Sequence, residues 1–136
     1  LMGSINVFKH VVPVMKKNRS GIIIVLLTST IVNGPPIRMS SYVTAKSGLL
    51  GLMRSVAKEV EQFNIRVLGI SPSFVETELI KAFPSKLLEI EKEKQPEMTF
   101  IQPEDIAGMV MKLVADCKRY PSGENTVLNT RRDVLK

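Results

Sequence analysis

Ile22-Ile23-Ile24-Val25-Leu26-Leu27 is a run of six apolar residues, the first four β-branched, and its reading decides the fold. Arg19-Ser20-Gly21 precedes it and a polar, turn-rich stretch over residues 28–41 follows, so the run has the length of a strand. A strand with no polar alternation is covered on both faces, which is the condition of a parallel sheet between helices. Upstream, Ile5, Phe8, Val11, Val12 and Met15 recur at helical spacing and predict an amphipathic helix over residues 3–17. Downstream, Asn33-Gly34-Pro35-Pro36 marks a loop, and Leu49, Leu52, Met53, Val56 and Val60 form the apolar stripe of a helix over 41–62. Within that helix Gly48 and Gly51 leave room for another backbone. A second strand is expected over 65–70, closed by Ser71-Pro72. Gln102-Pro103-Glu104-Asp105 has proline in the first turn and acids facing the helix dipole, so a third helix starts there, with Ile106, Val110, Leu113 and Val114 facing inward. Pro121-Ser122-Gly123 ends it before a short strand, Thr126-Val127-Leu128-Asn129. Helix and strand alternate three times, which places the chain in the α/β class with a parallel sheet.

The composition narrows the function. An apolar fraction of 44% and a charged fraction of 24% across 136 residues are those of a domain with a core. No apolar run approaches the roughly 18 residues of a membrane span. The opening residues, Leu1-Met2-Gly3-Ser4-Ile5-Asn6, lack the charged and apolar succession of a secretory signal. A lone Cys117 agrees with a reducing compartment, and a cytoplasmic location is expected. The net charge of +6 is spread along the chain, with two tyrosines, no tryptophan and no nucleic-acid motif, so no nucleic-acid partner is expected. With His10 as the one histidine and no second soft ligand near Cys117, no metal site is expected either.

Tyr42 and Lys46 stand four apart at the start of the second helix, on one face and about a turn from each other. A phenol with an ordinary pKa near 10 is a poor acid-base at neutral pH, and a neighbouring ammonium favours the phenolate. Ser29 follows the buried strand, at the end where open α/β sheets bind ligands, and its hydroxyl could hold a carbonyl while the phenol delivers a proton. Taken alone, the pair also fits a lysine lying along the surface beside a packed tyrosine. Glu76 and Glu78 adjoin the second strand, and Glu89, Glu91 and Glu93 fit a solvated helix face. Residues 78–99 form a charged surface helix or a substrate flap whose apolar side is Phe83, Leu87 and Leu88.

The order Ser29, then twelve residues, then Tyr42-Val43-Thr44-Ala45-Lys46-Ser47-Gly48-Leu49 resembles the active-site signature of short-chain dehydrogenase/reductases. The likeness continues through Arg54-Ser55-Val56-Ala57-Lys58-Glu59, Ile65-Arg66-Val67 and Ser71-Pro72-Ser73-Phe74-Val75-Glu76-Thr77. It reaches Pro103-Glu104-Asp105-Ile106-Ala107 and Ser122-Gly123 near the end. The resemblance implies the carboxy-terminal half of a Rossmann-type doubly wound sheet, here three strands with flanking helices, over residues 1–136. It implies NAD or NADP as cofactor and reversible hydride transfer between the nicotinamide and a carbonyl/alcohol substrate. By the same resemblance Tyr42 is the general acid-base, Lys46 holds the nicotinamide ribose and Ser29 orients the carbonyl. Pro72, Ser73, Val75 and Thr77 form the segment at the nicotinamide end, Val75 acting through its backbone and Thr77 through its hydroxyl. The branch most similar in appearance reduces 3-oxoacyl groups on acyl carrier protein. Family oligomers imply a homo-dimer or homo-tetramer through helices 3–17 and 41–62.

The chain departs from the family pattern in places. No Thr-Gly-x-x-x-Gly-x-Gly loop occurs in it, and the family's catalytic asparagine would align one position before Leu1. Ser73 stands in place of a glycine, which is expected to restrict the turn beside the nicotinamide. Thr130-Arg131-Arg132-Asp133 replaces an acidic-glycine ending. Three strands alone would leave an apolar edge, so the chain is expected to be a fragment of a longer domain. The alternative is a truncated, non-catalytic remnant that serves as an oligomerisation or interaction module.

Overall fold

Ile65-Arg66-Val67-Leu68-Gly69-Ile70-Ser71-Pro72 forms the middle strand, β2 (Ile65–Pro72), and the other elements are arranged about it. It pairs in parallel with β1 (Gly21–Leu26) on one side and β3 (Asn125–Leu128) on the other, giving the order β1-β2-β3. The structure, a computed structural model, describes residues 1–34 and 37–135. Pro35 and Pro36 of the expected loop lie outside the described residues.

Period-two alternation along the strands divides the core into two layers. Val25, Leu27, Ile65 and Val67 face α1 (Met2–Asn18) and α3 (Ser40–Val60), meeting Phe8, Leu49, Met53 and Ala57. Leu68 and Ile70 face the opposite side and pack on Ile106, Met109 and Leu113 of α5 (Pro103–Ala115). Val134 of α6 (Arg131–Leu135) closes that layer. Gly69 is required by closeness: a Cβ there would stand 2.8 Å from Met53 Sδ and 2.9 Å from Asn125 Oδ1. Two left-handed residues, Arg19 (φ 50°) and Asn64 (φ 59°), turn the chain into β1 and β2. They hold each other, Asn64 Nδ2 donating to the Arg19 carbonyl at 3.3 Å.

The alternation of helix and strand expected from the sequence is present, as is the expected start of the third helix. Pro103 opens α5, and the Asp105 carboxylate accepts the Gln102 N–H at 2.9 Å. Other expectations need correction. The stretch 28–41 contains a helical turn, α2 (Thr30–Asn33), and α3 begins at Ser40. α3 gives way at Glu61 to a 3₁₀ turn instead of running to residue 62. The chain continues past β3 into α6. Ile22, Ile23 and Ile24 are only partly buried and Leu26 is 49% exposed, because β1 pairs with β2 alone among the described residues. Gly48 lies against Leu1, but nothing among the described residues approaches Gly51. Among the described residues no helix is long and apolar enough to cross a membrane.

Candidate active site

Strand ends set the position of Ser29 and of residues 72–77, and α3 carries Tyr42 and Lys46. Ser29 leaves β1 at its carboxyl end and is 5% exposed. Its N–H donates to the Pro72 carbonyl at 2.9 Å, and its own carbonyl accepts the Val32 and Asn33 amides at 2.9 and 2.8 Å. Ser29 is therefore fixed from both sides, to the end of β2 and to α2.

Tyr42 and Lys46 share a face in the first two turns of α3, and both are partly exposed. The Lys46 ammonium lies 5.9 Å from the centre of the Tyr42 ring, so the spacing of four brings the pair together as expected. Lys46 Nζ donates to the Leu26 carbonyl at 2.8 Å, three residues before Ser29. That contact brings α3 to the same end of β1 that carries Ser29. Partial burial disfavours the charged form and lowers the Lys46 pKa below its ordinary 10.5.

The other predicted segment continues from β2. The Ser73 N–H donates to the Leu128 carbonyl at 2.8 Å, and Ser73 Oγ accepts the Phe74 N–H at 2.6 Å. Ser73 is not among the residues with positive φ, so a side chain there does not strain the turn, contrary to the expectation raised by the missing glycine. Val75 forms a parallel bridge with Ile101, in which the Glu76 N–H and Phe74 carbonyl make the bonds. The N–H of Val75 thus faces away from Ile101. Thr77 is exposed and its hydroxyl lies 3.4 Å from the Val75 carbonyl. Among the described residues no hydrogen bond joins Tyr42 or Lys46 to residues 72–77; it is Ser29 whose N–H ties the end of β1 to that segment, at the Pro72 carbonyl.

Beyond residue 77 a 3₁₀ turn (Glu78–Ala82) and α4 (Ser85–Glu93) overlie three rings. Phe74 stacks on Phe100 at 5.4 Å and meets Phe83 edge-on at 5.9 Å. Phe83 and Leu88 face inward as expected, but Leu87 is 37% exposed. A cleft of about 480 Å³ within this segment is lined by Thr77, Ile80, Ser85, Leu88 and Phe100 together with the charged Glu76, Glu78, Lys81, Glu89 and Lys92. Among the described residues no cluster of metal-ligating side chains occurs.

The sequence reading missed three participants. The Leu26 carbonyl is backbone and leaves no side-chain signal. Asn33 and Asn129, which bond across the strand ends at 2.6 Å, are 96 positions apart.

The sequence model of a family described as enoyl-(acyl carrier protein) reductase matches residues 1–130. The 3-oxoacyl-acyl-carrier-protein reductase of Thermotoga maritima is 33% identical over 124 residues, which cover 91% of this chain and 50% of that protein. The enzyme of the same name from Staphylococcus epidermidis is 31% identical over 129 residues, 95% of this chain and 52% of that protein. Among solved structures, a 4-hydroxyisoleucine dehydrogenase mutant complexed with NADH and succinate superposes with a TM-score of 0.83 at 29% identity. The superposition covers 95% of this chain and 54% of that one. The chain thus spans about half the length of the relatives it matches.

Proposed function

From the premise that this chain belongs to the short-chain dehydrogenase/reductase family, matched over residues 1–130, we propose that it supplies the catalytic groups of a nicotinamide-dependent carbonyl reductase. The observation that carries this reading is the Lys46 ammonium, anchored on the Leu26 carbonyl and 5.9 Å from the Tyr42 ring, at the strand end that fixes Ser29. The residues present fit the nicotinamide riboside end of NAD or NADP. Lys46 has spent one donor on Leu26 and has two left for a diol, while the Val75 N–H is turned away from Ile101 and the Thr77 hydroxyl is exposed. When bound, the cofactor supplies the hydride. Ser29 orients the carbonyl oxygen, and Tyr42 passes it the proton that balances the reaction.

A 3-oxoacyl thioester is the substrate class we favour, because the first relatives named above reduce that group. The segment 78–99 acts as its flap, with the cleft above Phe100 as the place for an acyl chain. The exposed Val7 and Val14 on α1 and the open surface at Gly51 on α3 support a homo-dimer or homo-tetramer through these helices. The free Cys117 supports a cytoplasmic setting.

The test is consumption of NADH or NADPH with a 3-oxoacyl thioester, for the wild type and Tyr42→Phe. Loss of the phenol should lower kcat by about 10²- to 10⁴-fold with the far-ultraviolet circular dichroism unchanged. Equal turnover in the two proteins removes Tyr42 from the chemistry and overturns this reading.

A further inference from the structure

Ser29 depends on a helix too short to hold itself. α2 has four residues and two amides bonded back to the Ser29 carbonyl, far below the roughly 12 residues at which an isolated helix becomes even marginal. Its first end is fixed by the bond from the Ser29 N–H to Pro72. Its last residue, Asn33, donates from Nδ2 to Asn129 Oδ1 at 2.6 Å, just beyond the end of β3.

Asn129 is held in turn. The Asp133 carboxylate accepts the Asn129 and Thr130 N–H groups at 2.9 Å each, which starts α6. Val134 of that helix is buried against α5. Arg131 Nε lies 2.8 Å from Asp105 Oδ2, the same oxygen that accepts the Gln102 N–H. Gln102 Nε2 then donates to Glu76 Oε2 at 2.9 Å, between Val75 and Thr77. One polar chain therefore runs from α2, through α6 and the start of α5, to the segment proposed for the nicotinamide. Its central members, Arg131 and Asp133, both stand on α6.

We propose that Asn33 and Asn129 are positioning residues for Ser29, and that α6 is the strap that fixes both flanks of the site. The proposal rests on the role given above to Ser29, but the tether itself is measurable without turnover. Asn33→Ala removes the donor to Asn129 Oδ1, whereas Asn129→Asp keeps the acceptor. Amide hydrogen exchange of Val32 should speed up about tenfold in Asn33→Ala, as expected for local opening, while the amides of β2 keep their protection. Asn129→Asp should exchange like the wild type. Unchanged Val32 protection in both variants overturns the tether.

Kinetics carry the second half. In Asn33→Ala a displaced Ser29 should lower kcat about tenfold with the KM for the nicotinamide cofactor unchanged. Asn129→Asp should retain the wild-type kcat. Faster exchange with an unchanged kcat overturns the positioning role. A wild type with no turnover defeats the reading of Ser29 itself, and the exchange result then still decides the tether.

Discussion

Ile24 and Leu68 are neighbours in register and face the same helix layer, yet their surroundings differ. Leu68 is 1% exposed, in a strand buried along most of its length. Ile24 is partly exposed, in a strand whose next position but one, Leu26, is half in solvent. β1 is the more apolar strand, since β2 contains Arg66, Gly69 and Ser71. Burial follows place in the sheet and not hydrophobicity: β2 has a strand on each side, and β1 has one. The site inherits this division. Residues 72–77 extend from the buried strand, whereas Lys46 is anchored on the outer one. The Leu26 carbonyl belongs to the peptide whose N–H bonds to Ile70, so it points away from β2 and is available to the ammonium.

The largest expected effects lie in the strands themselves. Leu68→Ala should cost about 2–5 kcal/mol, through lost transfer energy and an unfilled cavity. Ile24→Ala should cost about 1–2 kcal/mol, since only part of its surface leaves water on folding. Urea-midpoint shifts with unchanged m-values measure both. Equal losses would break the contrast and show that the outer strand is covered in solution, as it would be in an associated form.

A smaller pair of effects compares two glycines. Gly123 has φ +89° and its N–H bonds to the Val67 carbonyl at 2.7 Å, so it turns the chain into β3. An added Cβ would meet only Ala57, at an ordinary 3.4 Å, so the cost of Gly123→Ala is backbone strain of about 1–2 kcal/mol. Gly51 is helical and nothing lies within 4 Å of its Cβ position. Gly51→Ala should therefore stabilise by about 0.5–1 kcal/mol. A loss at Gly51, measured by thermal unfolding, would mean that another backbone packs there, which would sharpen the case for association through α3.

These contrasts mark what was legible in the sequence. Helical spacing gave α3, the start Gln102-Pro103-Glu104-Asp105 gave α5, and the stretch 65–70 closed by Ser71-Pro72 gave β2, each to within a few residues. The spacing of Tyr42 and Lys46 gave their shared face for the same reason. α2 and α6 have four and five residues, too few for any period to show. The partial exposure of β1 was not legible, since the run from Ile22 to Leu27 reads the same at the centre of a sheet as at its edge. The Asn33 bond to Asn129 needs β1 and β3 already placed on either side of β2.

The smallest effect concerns Lys46 and the outer strand. In the unfolded chain its ammonium titrates at the ordinary 10.5, and in the folded chain burial lowers that value. Between the two values the unfolded state binds more protons, so stability rises with pH across a window whose upper end is 10.5. Below the window both states are charged and the full cost of burying the ammonium is present. Above it both are neutral and the cost is gone. Lys46→Met keeps the apolar stem and does not titrate, so the urea midpoint of the wild type should gain on that of the variant as pH rises through the window. The gain is small because the side chain is partly exposed and the Leu26 carbonyl offsets some of the lost hydration. Equal pH slopes in the two proteins would mean that the ammonium is as well hydrated beside the outer strand as in the unfolded chain. The Leu26 carbonyl would then be holding Lys46 at the surface, with its remaining donors in water and not turned toward Tyr42.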